Sequence, residues 1–336
     1  MSHECDTRSK VSVGTENPER SIKNISAIIL NYRTPGLCIE LLKTLPRPKN
    51  YNLQICVIDN YSNDDSLSSI QAGVQSCNLH EDTAWIQADR NGGFSFGNNL
   101  GVAASDADAY LLLNSDTIVH SGAIEKLIDA LEMEPSVGIV GPRLEWPDSQ
   151  PQKSCFNDFR PSTEFFSAAA TGRLEKLFGH QQTARELSAM AGTTEWISFA
   201  CVLVRRQVFE NAGMMDEGYF LYFEDADFCR AAREAGFSIM HCPDARVVHL
   251  RGGSGPVKEA SAQRKRRPRY WYASRARYYA KWYGWHGLLA ANLFWTAGRT
   301  VSIARELLWL KKPHVCAYEW RDIWTNFLNP MKGPKP

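Results

Sequence analysis

Five short apolar runs rich in β-branched residues recur in the first 140 positions, at 25–30, 53–58, 83–87, 109–113 and 137–140. The stretches between them, 35–45, 64–74, 94–104 and 121–133, open on a capping or turn residue and carry apolar positions three or four apart. A strand that is apolar at nearly every position must be covered on both faces, and each gap is long enough for a crossover helix. This rhythm therefore predicts an α/β fold, a mostly parallel sheet flanked by helices.

The rest of the chain divides by composition. Residues 1–23 are polar, carry Glu4, Asp6, Glu16 and Glu19, and read as a flexible tail rather than a signal or transit peptide. Residues 24–257 form the predicted main domain, with one half at 24–146 and a second at 147–257. Within the second half, 147–194 reads as a variable insertion, 196–204 as one continuous apolar run followed by a short helix, 224–235 as a helix and 237–240 as a strand. Residues 258–336 form a basic, aromatic helical extension. The 336 residues are 44% hydrophobic and 22% charged, which excludes a disordered chain. A net charge of +1 gives no reason to expect a nucleic-acid partner. Nine cysteines without a C-x-x-C pair argue against a disulfide framework or zinc ribbon and predict a reducing, cytoplasmic setting. The longest apolar stretch, 287–310, is broken by Arg299, Arg305 and Glu306, so a spanning helix is not expected.

Chemistry-bearing residues fall at predicted strand ends, where open α/β sheets bind ligands. Asp59 directly follows Cys56-Val57-Ile58 and is a candidate acceptor for a base or ribose, against the plainer role of ordering the helix start nearby, which Ser62 and Asp64 fit better. Asn91-Gly92-Gly93-Phe94 joins the third strand to a helix; its glycines suit either close approach to a phosphate or sugar or a simple tight turn. The run matches neither dinucleotide nor P-loop spacing, which demotes an oxidoreductase. Asp116, in Leu113-Asn114-Ser115-Asp116, is a candidate ligand for Mg²⁺ or Mn²⁺ shared with a diphosphate, or else a helix cap. In Glu224-Asp225-Ala226-Asp227 the acids suit a helix N-terminus, and Asp227 has Arg230 three residues on. Asp225 has no such partner, and beside Tyr219, Phe220, Tyr222 and Phe223 it is a candidate general base. His249 precedes a glycine-rich stretch and is either structural or a borderline metal ligand on a flexible loop.

Taken in order, Asn31-Tyr32, Asp59-Asn60-Tyr61-Ser62, the run Asn91 to Asn99, Asn114-Ser115-Asp116, Phe223-Glu224-Asp225-Ala226-Asp227 and His249 resemble the motifs of inverting glycosyltransferase family 2, with its GT-A nucleotide-sugar-binding fold. The nearest branch resembles bacterial rhamnosyltransferases of cell-surface polysaccharide synthesis. The resemblance implies dTDP-rhamnose, or otherwise a UDP-sugar, as donor and a glycan or lipid-linked glycan as acceptor. It also implies Asn31, Asp59, Asn91, Gly92, Asn98 and Asn114 around the nucleotide, Asp116 and His249 on a divalent cation, and Asp225 as catalytic base. Trp196, Glu224 and Asp227 then lie near the reacting sugars. The family's metal motif usually carries two acids, and here the first position is Asn114. A catalytically silent nucleotide-sugar binder or assembly subunit of the same fold is the alternative.

Residues 258–281 hold nine basic residues and one acid, interleaved with Tyr and Trp. Such a segment suits peripheral attachment to an anionic membrane surface, or a helix packed on the catalytic domain with its cations in water. The sequence is also compatible with an oligomer.

Overall fold

A computed structural model describes residues 22–75, 83–172, 191–251 and 257–333. The N-terminal tail, the middle of the insertion and the glycine-rich stretch after His249 thus lie, apart from their edges, outside the described residues. Strands β1 (Asn24–Asn31), β2 (Asn52–Asp59), β3 (Thr83–Gln87) and β4 (Ala109–Asn114) pair in parallel in the order β3-β2-β1-β4. The sheet continues from β4 through β10 (Cys201–Arg205), β6 (Val137–Glu145) and β11 (Ser238–His249) to β5 (Thr117–Val119). Strands β10, β5 and the short β8 (Gly192–Thr194) run against their neighbours, so six of the nine strands share one direction. A separate pair joins β7 (Cys155–Phe156) to β9 (Trp196–Ile197).

The apolar runs are continuous because successive residues feed opposite cores. Ile25, Ala27 and Ile29 of β1, with Leu111 and Leu113 of β4, pack under α1 (Pro35–Thr44), α2 (Ser66–Val74) and α4 (Ala123–Glu132). Ile28, Leu112 and Val202 point to the other face. That face packs against α3 (Gly93–Ala103), α6 (Arg206–Ala212) and α7 (Glu224–Glu234), consistent with strand alternation.

One expectation needs correction, and two further segments divide into elements. The apolar run 196–204 holds two strands: β9 belongs to the small sheet and β10 to the large one, so residues 198–200 must turn between them. Ser198 N–H bonds the Ser154 carbonyl at 2.9 Å, and the Ala200 carbonyl accepts Asn114 N–H at 3.0 Å. The strand expected at 237–240 continues to His249, bulging where Cys242 faces Pro142 and Arg246 faces Arg143, so His249 ends a strand rather than lying in a loop. The insertion contributes β7, β8 and α5 (Thr163–Ala169), the last packed on the C-terminal extension.

That extension comprises α8 (Val257–Ala262), α9 (Arg269–Leu307) and α10 (Glu319–Asp322). Helix α9 breaks at Gly284, whose φ of +69° only glycine adopts readily. Many of the basic residues of 258–281 turn inward to acids. Arg267 pairs with Glu319, Arg275 with Glu164, Arg277 with Asp216 and Lys281 with Asp227, all at 2.6–2.9 Å. Among the described residues, no helix is long and apolar enough to cross a membrane.

Candidate active site

The carboxyl ends of β2, β1 and β4 lie side by side: Asn31 is in register with Asp59, and Leu30 with Asn114. Two strand spacings, about 10 Å, therefore separate the ends of β2 and β4. Asp59 is buried and accepts four hydrogen bonds: from Asn31 Nδ2 (2.7 Å), Ser62 Oγ (2.5 Å), Ser62 N–H (2.9 Å) and Gln87 Nε2 (2.7 Å). Those donors fill the roughly four lone-pair sites of a carboxylate. Asp59 thus braces this edge of the sheet, and a nucleotide touching it must displace one of its donors.

The glycines after β3 serve a close approach within the chain. Gly93 has φ +88°, and a β-carbon there would collide with the Phe220 carbonyl, which accepts Phe94 N–H at 2.8 Å. Asn91 Oδ1 receives Asn60 Nδ2 and Gly93 N–H, both at 3.2 Å. Asn98 donates to the Phe94 carbonyl at 2.9 Å, and its Oδ1 is buried without a hydrogen bond. The turn containing Gly92 is therefore clamped to the loop 219–223 that leads into α7.

Strand register explains why Asp116 and His249 meet. Residues 117–119, which make a helix-cap role for Asp116 awkward, form β5, and Thr117 faces His249 across the β5–β11 ladder. Asp116 Oδ1 lies 3.4 Å from His249 Nε2, and both residues are buried. Neither ring nitrogen of His249 makes a hydrogen bond, and the Gln152 amide fixes the end of β11 by donating to the His249 carbonyl at 2.7 Å. A buried imidazole with no hydrogen-bond partner, next to a carboxylate, fits a divalent cation. Among the described residues no third His, Cys, Asp or Glu joins them, as suits an ion whose remaining ligands are diphosphate oxygens and water.

Helix α7 begins after two consecutive left-handed residues, Tyr222 and Phe223, each at φ +71°. This conformation costs of order 1–3 kcal/mol per residue and persists where the surroundings over-determine it. Here Gly93 on one side and α9 on the other hold the turn; Ser274 Oγ donates to the Leu221 carbonyl at 3.2 Å. The turn aims Glu224 and Asp225 into a cavity of about 250 Å³. Burial pushes the Asp225 carboxyl up to about 7, partly offset by backbone N–H groups, with Ala226 N–H at 2.9 Å from Oδ1. Glu224 is raised well above the carboxylate range, first by burial and then by the charge of Asp225. The two acids titrate as a pair.

The cavity is also lined by Asn114, His249, Trp196 and Phe156, so Asp225 and the Asp116–His249 pair serve one space. Trp196 stacks on Phe156 with ring centres 4.0 Å apart and donates to the Asn157 carbonyl at 2.9 Å. Asp227 faces the other way. It does not take the expected Arg230 as partner but accepts from Tyr219 Oη (3.0 Å), Lys281 Nζ (2.7 Å) and Trp282 Nε1 (2.7 Å). Arg230 instead lies over the rings of Trp282 and Tyr283.

Sequence reasoning missed Lys153, Arg251 and the turn 198–200, all of which line the cavity. Arg251 sits at φ +53° with its guanidinium 5.2 Å from the Trp146 ring centre. Its position two residues after His249 was the available signal. Lys153 and residues 198–200 reach the cavity through the β7–β9 pairing, which carries no local mark.

The profile of the family described as "Glycosyltransferase like family 2" matches residues 23–307. The chain is 25% identical over 232 residues to the low-salt glycan biosynthesis hexosyltransferase Agl10 of Haloferax volcanii, covering 68% of this chain and 67% of that one. It is 27% identical over 258 residues to the N-acetylglucosaminyl-diphospho-decaprenol L-rhamnosyltransferase of Mycobacterium tuberculosis, covering 69% and 79%. Among solved structures, it shares the fold of GalNAc-T7 with UDP, GalNAc and Mn²⁺, at TM-score 0.54 and 13% identity. That match covers 85% of this chain and 55% of GalNAc-T7.

Proposed function

From the premise that the chain belongs to the glycosyltransferase like family 2, we propose that it transfers a sugar from a nucleoside diphosphate to a hydroxyl of a glycan acceptor, with inversion at the anomeric carbon. Rhamnose from dTDP-rhamnose is the first choice of donor and a UDP-sugar the second. The acceptor is a glycan or lipid-linked glycan of cell-surface polysaccharide synthesis, met at the cytoplasmic face of a membrane. The rhamnosyltransferase relative, whose name includes a diphospho-decaprenol, supports rhamnose as the sugar and a lipid-linked acceptor.

The observation that carries the proposal is Asp225, a carboxylate of raised proton affinity in the wall of a cavity shared with His249. A base whose pKa lies near the working pH is ionised often enough to accept a proton and basic enough to take one from a hydroxyl. Asp225 removes the acceptor proton as the hydroxyl attacks, and the aromatic wall of Phe156 and Trp196 keeps water from competing. Asp116 and His249 would hold the divalent cation, and Asn31, Asp59 and Asn91 order the nucleotide edge. When bound, the cation neutralises charge developing on the departing nucleoside diphosphate.

The test is a thermal-shift panel of dTDP-rhamnose, UDP-sugars and GDP-sugars with and without Mn²⁺, followed by nucleoside diphosphate release with Asp225→Asn. Stabilisation by one donor class together with loss of release in the variant is expected. Donor binding with unchanged release in Asp225→Asn would remove the carboxylate from the mechanism.

A further inference from the structure

The second half of α9, residues 285–307, is built inside out. Its charged residues are Arg299, Arg305 and Glu306, and none is left to water. Arg299 pairs with Glu306 at 2.6 Å, and Arg305 donates to the Ala169 and Ala170 carbonyls at the end of α5. Asn292 and Ser302 are fully buried. The outward positions are mostly apolar: Leu293, Phe294, Val301, Ile303 and Leu307 are exposed, with Thr296 and Thr300 between them, and the chain continues into Leu308, Trp309 and Leu310, with Trp309 95% exposed. A helix facing water carries its charges outward, and a mostly apolar surface running about 22 Å from Leu293 to Leu307 marks a partner.

The rim says which partner. The acids of residues 285–333 are Glu306, Glu319 and Asp322, and each is held in an arginine pair. Lys312, Arg321 and Lys332 are exposed around the same segment, and Arg264, also exposed, is tied to it through the Pro313 carbonyl. Aromatic residues stand at both ends: Trp309 at one, and at the other Trp285, whose ring packs on Phe327 beside Trp324. Two copies of the chain would bring like charges together across this face. An anionic headgroup layer over an acyl interior matches both the cations and the apolar strip.

We propose that the outer face of residues 285–310, with its tryptophans and cationic rim, docks on the surface of an anionic lipid bilayer, the helix lying parallel to the membrane. The first half of the same helix holds the Leu221 carbonyl beside the catalytic cavity, so one element joins the docking face to the site. The inference rests on the lipid-linked acceptor reading for its purpose, but its test reads vesicle binding without any transfer, so either can fail alone.

The full chain is sedimented with vesicles of phosphatidylcholine alone or with about one third phosphatidylglycerol, and compared with Leu307→Ser/Trp309→Ser and with Lys312→Glu. Partition about tenfold stronger onto the anionic vesicles is expected, falling about tenfold in the double variant and more weakly in Lys312→Glu, with melting temperatures unchanged. No binding to anionic vesicles, or equal binding by wild type and double variant, overturns the proposal. Lipid-free dimerisation abolished by the double variant would also overturn it, assigning the face to a second copy of the chain. Should the double variant fail to fold, equal binding by Lys312→Glu and wild type is the refuting result.

Discussion

The sharpest consequence of the site concerns Asp225 and pH. With the carboxyl pushed up to about 7, about one tenth is ionised at pH 6 and about nine tenths at pH 8. If the ionised form is the base, kcat/KM should rise about tenfold across that interval and then level off. Asp225→Asn should lose roughly 10²- to 10⁴-fold in rate and the pH dependence with it, while retaining donor binding. Stability moves the opposite way. The folded-state carboxyl holds its proton up to about 7, whereas in the unfolded chain it ionises near 3.8. The folded protein therefore binds the extra proton in that window, and stability is lost as pH rises through it. The Asn variant, which has lost that one ionisation, should melt higher than wild type at pH 8 and at the same temperature near pH 4. Nucleoside diphosphate release measured across roughly pH 6 to 8, with calorimetric melting at about pH 4 and pH 8, tests both halves. A wild-type rate flat from pH 6 to 8, or a variant that melts lower at pH 8, refutes the reasoning.

Other outcomes follow from the same geometry. His249→Ala should abolish the enhancement of nucleoside diphosphate affinity by Mn²⁺; titration calorimetry giving equal enhancement in variant and wild type would sink the cation assignment. Gly93→Ala meets both a positive φ and the Phe220 carbonyl, so thermal unfolding should show a loss of at least about 1–3 kcal/mol, and a wild-type melting curve would contradict the clamp. Lys281→Met strands the buried Asp227 carboxylate on neutral donors. It should cost about 2–4 kcal/mol, less than a fully buried pair because the lysine is partly open, with much of the loss recovered in Lys281→Met/Asp227→Asn. Denaturant unfolding that shows additive losses would mean the two residues do not act together.

The parallel half of the sheet was legible because parallel strands are apolar on both faces and leave a dense local signal; β3 falls where the sequence alone puts it, at Thr83–Gln87. Asp59 and Asp116 could be singled out because they follow apolar strands, where a carboxylate lacks an ordinary packing role, and Asp225 because its helix offers it no ionic partner. Partners distant in sequence were not. A local count makes residues 258–281 a basic surface, yet Glu164 and Asp216, more than 50 residues away, neutralise Arg275 and Arg277. The periodicity of 285–307 was likewise present in the sequence. Which side of that helix faces inward depends on α5 and its carbonyls, which no window of the chain contains.

The bulge in β11 has a consequence for how this protein can change over time. Residues 243–245 loop out between two paired stretches, and side chains of a strand alternate between its faces. The bulge frees the stretch beyond it from the register before it, so His249 is aimed at Asp116 by its own partners, with Val247 opposite Leu144 and Val119 and His249 opposite Thr117. A codon gained or lost inside the bulge is taken up there, whereas one gained or lost between Arg246 and His249 would set Val248 or Leu250 opposite Thr117, so a histidine still present in the gene is no guarantee that it meets its carboxylate.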